Sequence, residues 1–408
     1  MKNLFKIIFI SFLTAFTLNV HAQSSTKFIT VKGKKVIAPN GQELHLKGIG
    51  LGNWLLPEGY MWRFKKAVSP RQINDVVTEL IGPAAARNFW KKYHAEYITK
   101  KDIAYLKKIG MNSVRIPINY RVLTSENHPG IWLKSGFETL DHVIQWCKEE
   151  GLYVILDMHA APGGQTGENI DDGWGYPFLF KSPESQKRVI RIWKKLAARY
   201  HNNPNVLGYD LLNEPIPNFK EYASLNKYLV PLYKRITHAI REVDPNHIII
   251  VEGAQWATNF KVFGKPFDSK MIYSFHKYWM PPKQDQFQEY VDFSNKYNVP
   301  IWLGESGENK DEWVDQFRKL LEKNDIGWSF WPYKKLKAKS CIVTVKPPAN
   351  WDKITTFAAD WGDSFKNFRK DRPSMQDAQK ILNQLLVNIK FQNCTPNPGY
   401  IKALGLQP

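Results

Sequence analysis

Two carboxylates stand where apolar runs stop. Val206 to Leu212 breaks off at Asn213-Glu214-Pro215, and Pro300 to Leu303 runs into Gly304-Glu305-Ser306-Gly307. Proline cannot continue a strand ladder, so Asn213 and Glu214 are expected at the C-terminal tip of a short buried strand. A carboxylate there costs free energy unless it has a chemical task. Two of them, at the tips of two parallel strands facing one pocket, would supply the proton donor and the attacking group that cleave a glycosidic bond.

The elements that would position such a pair are legible along the chain. Strand-like runs fall at 44–50, 112–118, 152–159, 206–213, 247–252, 271–276, 300–305 and 327–331. Between them, helical spacing is clearest at Ile98 to Ile109, Phe137 to Glu149, Glu184 to Tyr200, Leu225 to Val243, Gln284 to Tyr297 and Trp313 to Glu322, with a last helix at Ser374 to Ile389. Eight strands alternating with helices, several of them apolar at consecutive positions, predict an α/β fold, a (β/α)8 TIM barrel. A doubly wound open sheet is the alternative, but no glycine-rich phosphate fingerprint follows the first strand. Phe28 to Ile37, with a turn at Pro39-Asn40-Gly41, predicts an N-terminal hairpin. Long connections at 51–97, carrying Trp54, Tyr60 and Trp62, and at 332–373, carrying Trp351 and Trp361, should build the active face. The Pro- and Gly-rich tail after Phe391 is expected to pack loosely.

On this scheme the strand tips are rich in polar chemistry. They carry Arg115, Asp157 and His159, Asn213 and Glu214, His276 and Tyr278, Glu305, and Trp331. Glu214 is the candidate acid/base, because a neighbouring ionised carboxylate raises the pKa of a general acid. Glu305 is then the nucleophile, with Arg115 and Tyr278 as suitable cationic and donor neighbours. Asn213 is suited to the sugar 2-hydroxyl, His159 and His276 to orienting carboxylates and hydroxyls, and Trp331, Trp54 and Trp174 to aromatic contact with sugar faces. Glu252 and Glu308 are rival carboxylates that end their runs less abruptly. Asp157 with His159 has a spacing that can serve zinc, but no HExxH or cysteine cluster accompanies it, so no metal and no cofactor is expected. The acidic run Glu168 to Asp172 reads as a solvated loop rather than a calcium site. No G-x-S-x-G elbow is present, which disfavours a Ser-His-Asp hydrolase.

These residues resemble glycoside hydrolase family 5, from LKGIGLGNW at Leu46 to Trp54 through GWSFWPYKK at Gly327 to Lys335. The resemblance implies a (β/α)8 barrel and a retaining mechanism. It places the family's arginine on Arg115, its histidine after the third strand on His159, and its Asn-Glu pair on Asn213 and the acid/base Glu214. Its His-x-Tyr falls on His276 and Tyr278, its nucleophile on Glu305 and its tryptophan on Trp331. DMHAAPGGQTG at Asp157 to Gly167 is similar to the matching segment of exo-β-1,3-glucanases and β-glucosidases, whereas Glu168 to Tyr176 departs from it. The implied activity is hydrolysis of β-glucans or β-glucosides, exo-acting on account of the long loops. Alternatives are an endo-acting β-1,4-glucanase or β-mannanase, and a glycan-binding envelope protein without turnover.

Residues 1–22 carry Lys2 and Lys6, the apolar Ile7 to Leu18 and a small-x-small ending at Ala22, the pattern of a secretory signal peptide. The expected organisation is therefore a signal peptide at 1–22 and one catalytic barrel at 23–408, located in the periplasm, at the cell surface or outside the cell. Three cysteines are too few for a disulfide scaffold. Cys147 is expected in the core, and Cys341 and Cys394 are either bridged or free. The formal net charge is +19, but its lysines are scattered rather than clustered. Solvated faces explain that better than nucleic-acid binding. The expected partner is an oligo- or polysaccharide of β-glucan type, with no nucleic acid and no integral membrane contact, bound by a monomer.

Overall fold

Apolar runs of strand length, separated by amphipathic helices, can bury both faces of every strand when the strands lie parallel and the helices cover the outside. The computed structural model describes residues 28–408 and has this arrangement. Its strands are β1 (Lys47–Gly50), β2 (Ser113–Asn119), β3 (Tyr153–Ala160), β4 (Val206–Asp210), β5 (Ile248–Glu252), β6 (Met271–His276), β7 (Ile301–Glu305) and β8 (Gly327–Phe330). Each pairs in parallel with the next, and β8 closes the barrel on β1. The expected signal peptide lies outside the described residues.

Helix boundaries follow from local chemistry. The helix Lys100–Ile109 opens with a capping box, in which the Asp102 carboxylate accepts from the Thr99 backbone, and Gly110 ends it in the left-handed conformation. Pro183–Tyr200 opens on Ser182, whose side chain accepts from the Ser185 N–H, and buries Val189, Ile192, Trp193 and Leu196 on one face. Such faces pack on the outside of the barrel as one continuous core. A second, smaller core fills the barrel's lower interior, where Ile155, Leu207, Ile250, Ile272 and Trp302 meet Ile29 from the N-terminal hairpin. Side chains two apart on a strand share a face. Above Ile155 therefore stands Asp157, and above Ile250 stands Glu252, so the apolar layer carries a charged one towards the strand tips.

The hairpin differs in detail from the sequence reading. It closes between Thr30–Lys32 and Lys35–Ile37, around Gly33, and the Asn40-Gly41 turn contributes one isolated bridge between Ile37 and Glu43. Gly33 has φ of 57°, so a turn within the predicted strand was available to it. The tail also departs from expectation. It is packed, with Tyr400, Ile401, Ala403, Leu404 and Leu406 buried. Cys147, Cys341 and Cys394 are all free thiols. Among the described residues no helix is long and apolar enough to cross a membrane.

Beyond β8 the chain makes a small sheet from β9 (Lys334–Leu336), β10 (Val343–Val345) and β11 (Thr395–Pro396). Lys334 anchors it to the barrel. Its fully buried ammonium lies 2.7 Å from Asp102 and donates to the carbonyls of Tyr97 at 2.6 Å and Ile389 at 3.0 Å. Removing one partner of a buried pair strands the other charge, a loss of about 3–5 kcal/mol. Lys334→Met should therefore lower the unfolding free energy by about 3 kcal/mol, read as a shifted denaturant midpoint. An unchanged midpoint would show that the pair contributes nothing net.

Candidate active site

The charged layer inside the barrel is built around Arg115, which has no contact with solvent. Its Nε donates to Asp210 at 2.8 Å, its Nη2 to Glu252 and to Asn213 at 2.9 Å, and its Nη1 to Glu305; Asp157 lies 3.1 Å from Nη2. One guanidinium on β2 thus fixes a carboxylate within β3 and those at the ends of β4, β5 and β7. Burial alone would push its proton off, but the four carboxylates outweigh that and raise its pKa.

Glu305 ends β7 and also accepts from the Tyr278 hydroxyl at 3.1 Å. Glu214 lies four residues past the end of β4, held in place by the segments around it. Its N–H donates to Glu252 at 2.7 Å, its carbonyl accepts from the Thr166 hydroxyl at 2.9 Å, and its carboxylate receives His276 Nδ1 at 2.8 Å. Oxygens of Glu214 and Glu305 and a ring nitrogen of His276 all lie within 4.8 Å of one another. Three such donors also have the spacing to hold a cation. Here, however, the arginine and tyrosine already occupy Glu305, and the imidazole occupies Glu214, so an incoming cation would compete with built-in donors.

The electrostatics separate the two carboxylates. Burial raises the Glu214 pKa, opposed by His276 and reinforced by the charges of Glu305 and Glu252. His276 is disfavoured as a cation by burial, yet Glu252 and Glu305 raise its pKa well above the usual value. Glu252 faces His276 Nε2 at 3.2 Å, a charge contact without hydrogen-bond alignment. Burial opposes its ionisation too, but His276, Arg115 and the Glu214 N–H hold its pKa at about 2. His159 receives its orientation from Asp157, which accepts from Nδ1 at 2.6 Å, and from the Asn213 amide, which donates to Nε2 at 3.2 Å.

These groups open onto a cavity of about 520 Å³ at the C-terminal ends of the strands. Of the residues expected at the site, Glu214, Glu305, His159, His276, Tyr278 and Trp331 line it. Arg115 and Asn213 do not: both are wholly buried behind the wall and act on the lining groups rather than on a ligand. Trp331 is narrower than an open floor. Its ring is 2% exposed, stacked on His159 at 5.4 Å, with Gly50 and Gly52 so close behind that a Cβ on either would collide with it. Trp54 is buried in the core, its indole donating to the His94 carbonyl at 2.8 Å, because the segment after β1 folds inward. Trp174 is 76% exposed, outside the cavity, with the Arg71 guanidinium 4.2 Å above its ring. Trp54 is thereby removed from the substrate-contacting set, whereas Trp174 stands in solvent beyond the cavity lining. The acidic run is no solvated loop either. Asp171 is buried and accepts the N–H groups of Thr166, Gly167 and Gly173, while Asp172 binds Arg71, Asn119 and Arg121. Burial pushes the Asp171 carboxyl up to about 6 despite those donors.

The cavity adds residues outside the expected substrate-binding set, of which Glu58 and Trp256 were missed by sequence reasoning. Glu58 and Tyr60, from the loop after β1, form one wall with Glu308 and Trp331. Tyr60 accepts from the Trp331 indole at 3.0 Å and donates to Glu308 at 3.2 Å, and Lys335 pairs with Glu308. Glu58 Oε1 is buried with no hydrogen-bond partner among the described residues, and burial raises its pKa well above the ordinary range, helped by Glu305, Glu308 and Glu214. Glu58 follows Pro57 within an apolar run, so its position was the available signal. On the opposite side stand Glu168, Trp256 and Trp279. Gln255, Trp256 and Ala257 are three consecutive non-glycine residues at φ of 58°, 58° and 61°, and Glu214 and Ile216 are at 43° and 62°. A left-handed conformation costs a non-glycine residue about 1–2 kcal/mol. It persists where neighbouring contacts over-determine it. The Trp256 N–H donates to the Ile216 carbonyl at 3.1 Å and the Ile216 N–H to that of Gln165 at 2.9 Å, which stitch the two segments to the barrel.

Comparison with known proteins gives the geometry a context. A family model described as cellulase, glycosyl hydrolase family 5, matches residues 73–336. The chain is 31% identical over 292 residues to a β-xylosidase of Phanerodontia chrysosporium, covering 71% of this chain but 59% of that protein. It is 26% identical to endoglucanase C of Acetivibrio thermocellus, over 61% of this chain and 87% of that one. A third relative, named "Probable glucan 1,3-beta-glucosidase A", from Aspergillus fumigatus, is 30% identical over 49% of this chain and 48% of its own length. The chain thus spans about half to three fifths of the first and third of these relatives.

Because the Glu252 charge is the largest influence raising the His276 pKa, Glu252→Gln should make the His276 ring protons titrate at lower pH. NMR of the imidazole resonances reads this directly. An unmoved titration would show that Glu252 does not sustain the cation.

Proposed function

The chain belongs to glycosyl hydrolase family 5, and from that premise we propose that it is an exported enzyme that removes single sugars from β-glucans or β-glucosides. As a member of the family it hydrolyses β-glycosidic bonds by the retaining route. The observation that carries the assignment of roles is the carboxylate pair, with oxygens of Glu214 and Glu305 within 4.8 Å. Retaining enzymes keep their carboxyl groups about 5–5.5 Å apart, and inverting ones about 6.5–9.5 Å, to admit a water between them.

In this reading Glu305 attacks the anomeric carbon while Glu214 gives its proton to the leaving oxygen. The glycosyl ester on Glu305 is then broken by a water whose proton passes to Glu214. Arg115 and Tyr278 aim Glu305, and His276 aims Glu214. Exo action is supported by the wall of Glu58, Tyr60, Glu308 and Trp331, and by the segment 51–59, which is buried throughout and closes the cavity beside β1. Glu58 brings a buried carboxyl to that wall, with no protein partner for its Oε1 among the described residues. Export rests on the N-terminal pattern of residues 1–22.

Glucose released singly from laminarin, appearing first as the β-anomer by NMR, is the expected product. A ladder of oligosaccharides from a β-1,4-glucan or a mannan would move the protein to the endo-acting reading, and an α-anomer would overturn the mechanism. Glu214→Ala should lower kcat/KM by about 10²–10⁴-fold, the usual contribution of a general acid.

A pH dependence follows with a definite sign. Glu214 must carry its proton to act as acid, and its raised pKa keeps that form populated above pH 4.5. Activity should fall on the alkaline side as pH rises through that pKa. His276 opposes the rise, so His276→Asn should carry the alkaline limb of kcat/KM to higher pH. A limb moving downward would contradict the assignment.

A further inference from the structure

Glu214 stands on strained backbone. It and Ile216 have positive φ, 43° and 62°, on either side of Pro215, so the segment that presents the acid would relax if nothing gripped it. The grip comes from two consecutive residues of the loop after β3. The Gln165 side chain donates to the Asn213 carbonyl at 3.0 Å, the Thr166 hydroxyl donates to the Glu214 carbonyl at 2.9 Å, and the Gln165 carbonyl accepts the Ile216 N–H at 2.9 Å. Gln165 is itself secured to the end of β3, its amide donating to the His159 carbonyl at 2.6 Å and accepting the Ala161 N–H at 2.9 Å.

Thr166 is secured from the far side of the loop. One oxygen of Asp171 accepts the N–H groups of Thr166 and Gly167 at 2.8 and 2.7 Å, and the other accepts that of Gly173 at 2.6 Å. The carboxylate is sealed from solvent, and the loop makes room for it: a Cβ on Gly164 or Gly173 would lie 3.0 or 2.8 Å from its oxygens. Only a group that accepts on both oxygens suits this place, because an amide would turn its own N–H groups towards one set of donors. Asp171 thereby ties 166–173 into a closed turn. Glu168, Asn169 and Ile170, between the tied points, line the cavity, whereas Asp171 itself does not.

We propose that Asp171 is a positioning residue for the acid: through Thr166 it holds the Glu214 backbone, and with it the carboxyl, within reach of the leaving oxygen. The inference rests on the hydrolase reading above and deepens it by giving a residue outside the cavity lining a part in proton transfer. Such a residue matters only where the proton is needed. As Glu305 attacks, the bond from the anomeric carbon to the leaving oxygen breaks, and that oxygen takes its proton from Glu214. Dinitrophenolate is stable enough to leave without the proton, whereas phenoxide is not.

The test is kcat/KM of the mature enzyme on a series of aryl β-glucosides from phenyl to dinitrophenyl, which share one sugar and differ in leaving-group acidity. Asp171→Asn should lower the phenyl value by about 10²-fold, the cost of misplacing a reacting group by an ångström, and leave the dinitrophenyl value nearly unchanged. Thr166→Val, which removes the hydroxyl that reaches the Glu214 carbonyl, should steepen the dependence in the same sense, and Thr166→Ser should restore it. Asp172→Asn loosens the same loop from Arg71 and Arg121 without touching Thr166, and should keep the native slope. A uniform loss across the series in Asp171→Asn would reduce Asp171 to a structural role and overturn the proposal. A native slope in Thr166→Val would overturn it too, and can be read even if Asp171→Asn fails to fold. Equal steepening in Asp172→Asn would assign the effect to the loop as a whole, against a part particular to Asp171. A native enzyme inactive on all β-glucosides and β-glucans would remove the hydrolase reading, and the role of Asp171 with it.

Discussion

A guanidinium sealed from water holds this barrel's working end together. Arg115 is met by Asp157, Asp210, Glu252 and Glu305, and a single positive charge cannot balance four negative ones in a place where no solvent screens them. The site resolves the imbalance by uneven ionisation. Burial and Glu252 push the Asp210 carboxyl well up, so it is the group most readily kept neutral, while Glu252 is held ionised at about 2 and His276 supplies a second cation. The Glu214 pKa is raised as well, by burial and by the charges of Glu305 and Glu252, against the pull of His276. In the proposed mechanism, these unequal surroundings are what set Glu214 apart as the acid.

The same constraint explains why several residues that bear on the chemistry do not touch the cavity. Arg115 and Asn213 are both fully buried, and Glu252 reaches the reaction through the Glu214 N–H and His276. A buried polar network of this kind is costly if any member is left unpaired and rigid when all are paired. Rigidity is what a reaction with a close carboxylate pair needs, since misplacement of either by an ångström weakens attack.

What the sequence made legible was whatever repeats or punctuates. Strand and helix periods stand out because burying eight parallel strands demands consecutive apolar residues, and Met271–His276 was read to the residue. Glu214 and Glu305 stood out because each interrupts such a run. The roles of tryptophans did not, because a tryptophan's value depends on which way its loop turns. Trp54 and Trp174 have the right type and neighbourhood, yet one faces the core and the other carries Arg71 on its ring. Glu58 was passed over for the converse reason: it ends no strand, and only the inward fold of 51–59 brings it to the cavity. Likewise, the run Glu168 to Asp172 looks solvated by composition. Donors remote in sequence, Arg71 at the start of the helix Pro70–Ile81 and Arg121 in the turn after β2, hold Asp172 in place.

Charge is distributed in opposite senses inside and outside. The chain carries a formal +19, yet its cavity is lined by Glu58, Glu168, Glu214, Glu305 and Glu308, with His159 and His276 as the basic lining groups. Many lysines lie on the solvated faces of helices, as Lys107 and Lys108 do in the last turn of Lys100–Ile109. Fields from exposed charges fall off within about 8–10 Å at ordinary ionic strength, so the basic exterior does little to offset the acidic interior. A uronic acid or sulfated sugar would enter against several carboxylates in a low-dielectric pocket, whereas a neutral sugar brings hydroxyls that those carboxylates can accept from. The outer surface and the pocket therefore select on different properties. The basic exterior favours anions, and the acidic lining of the cavity disfavours them.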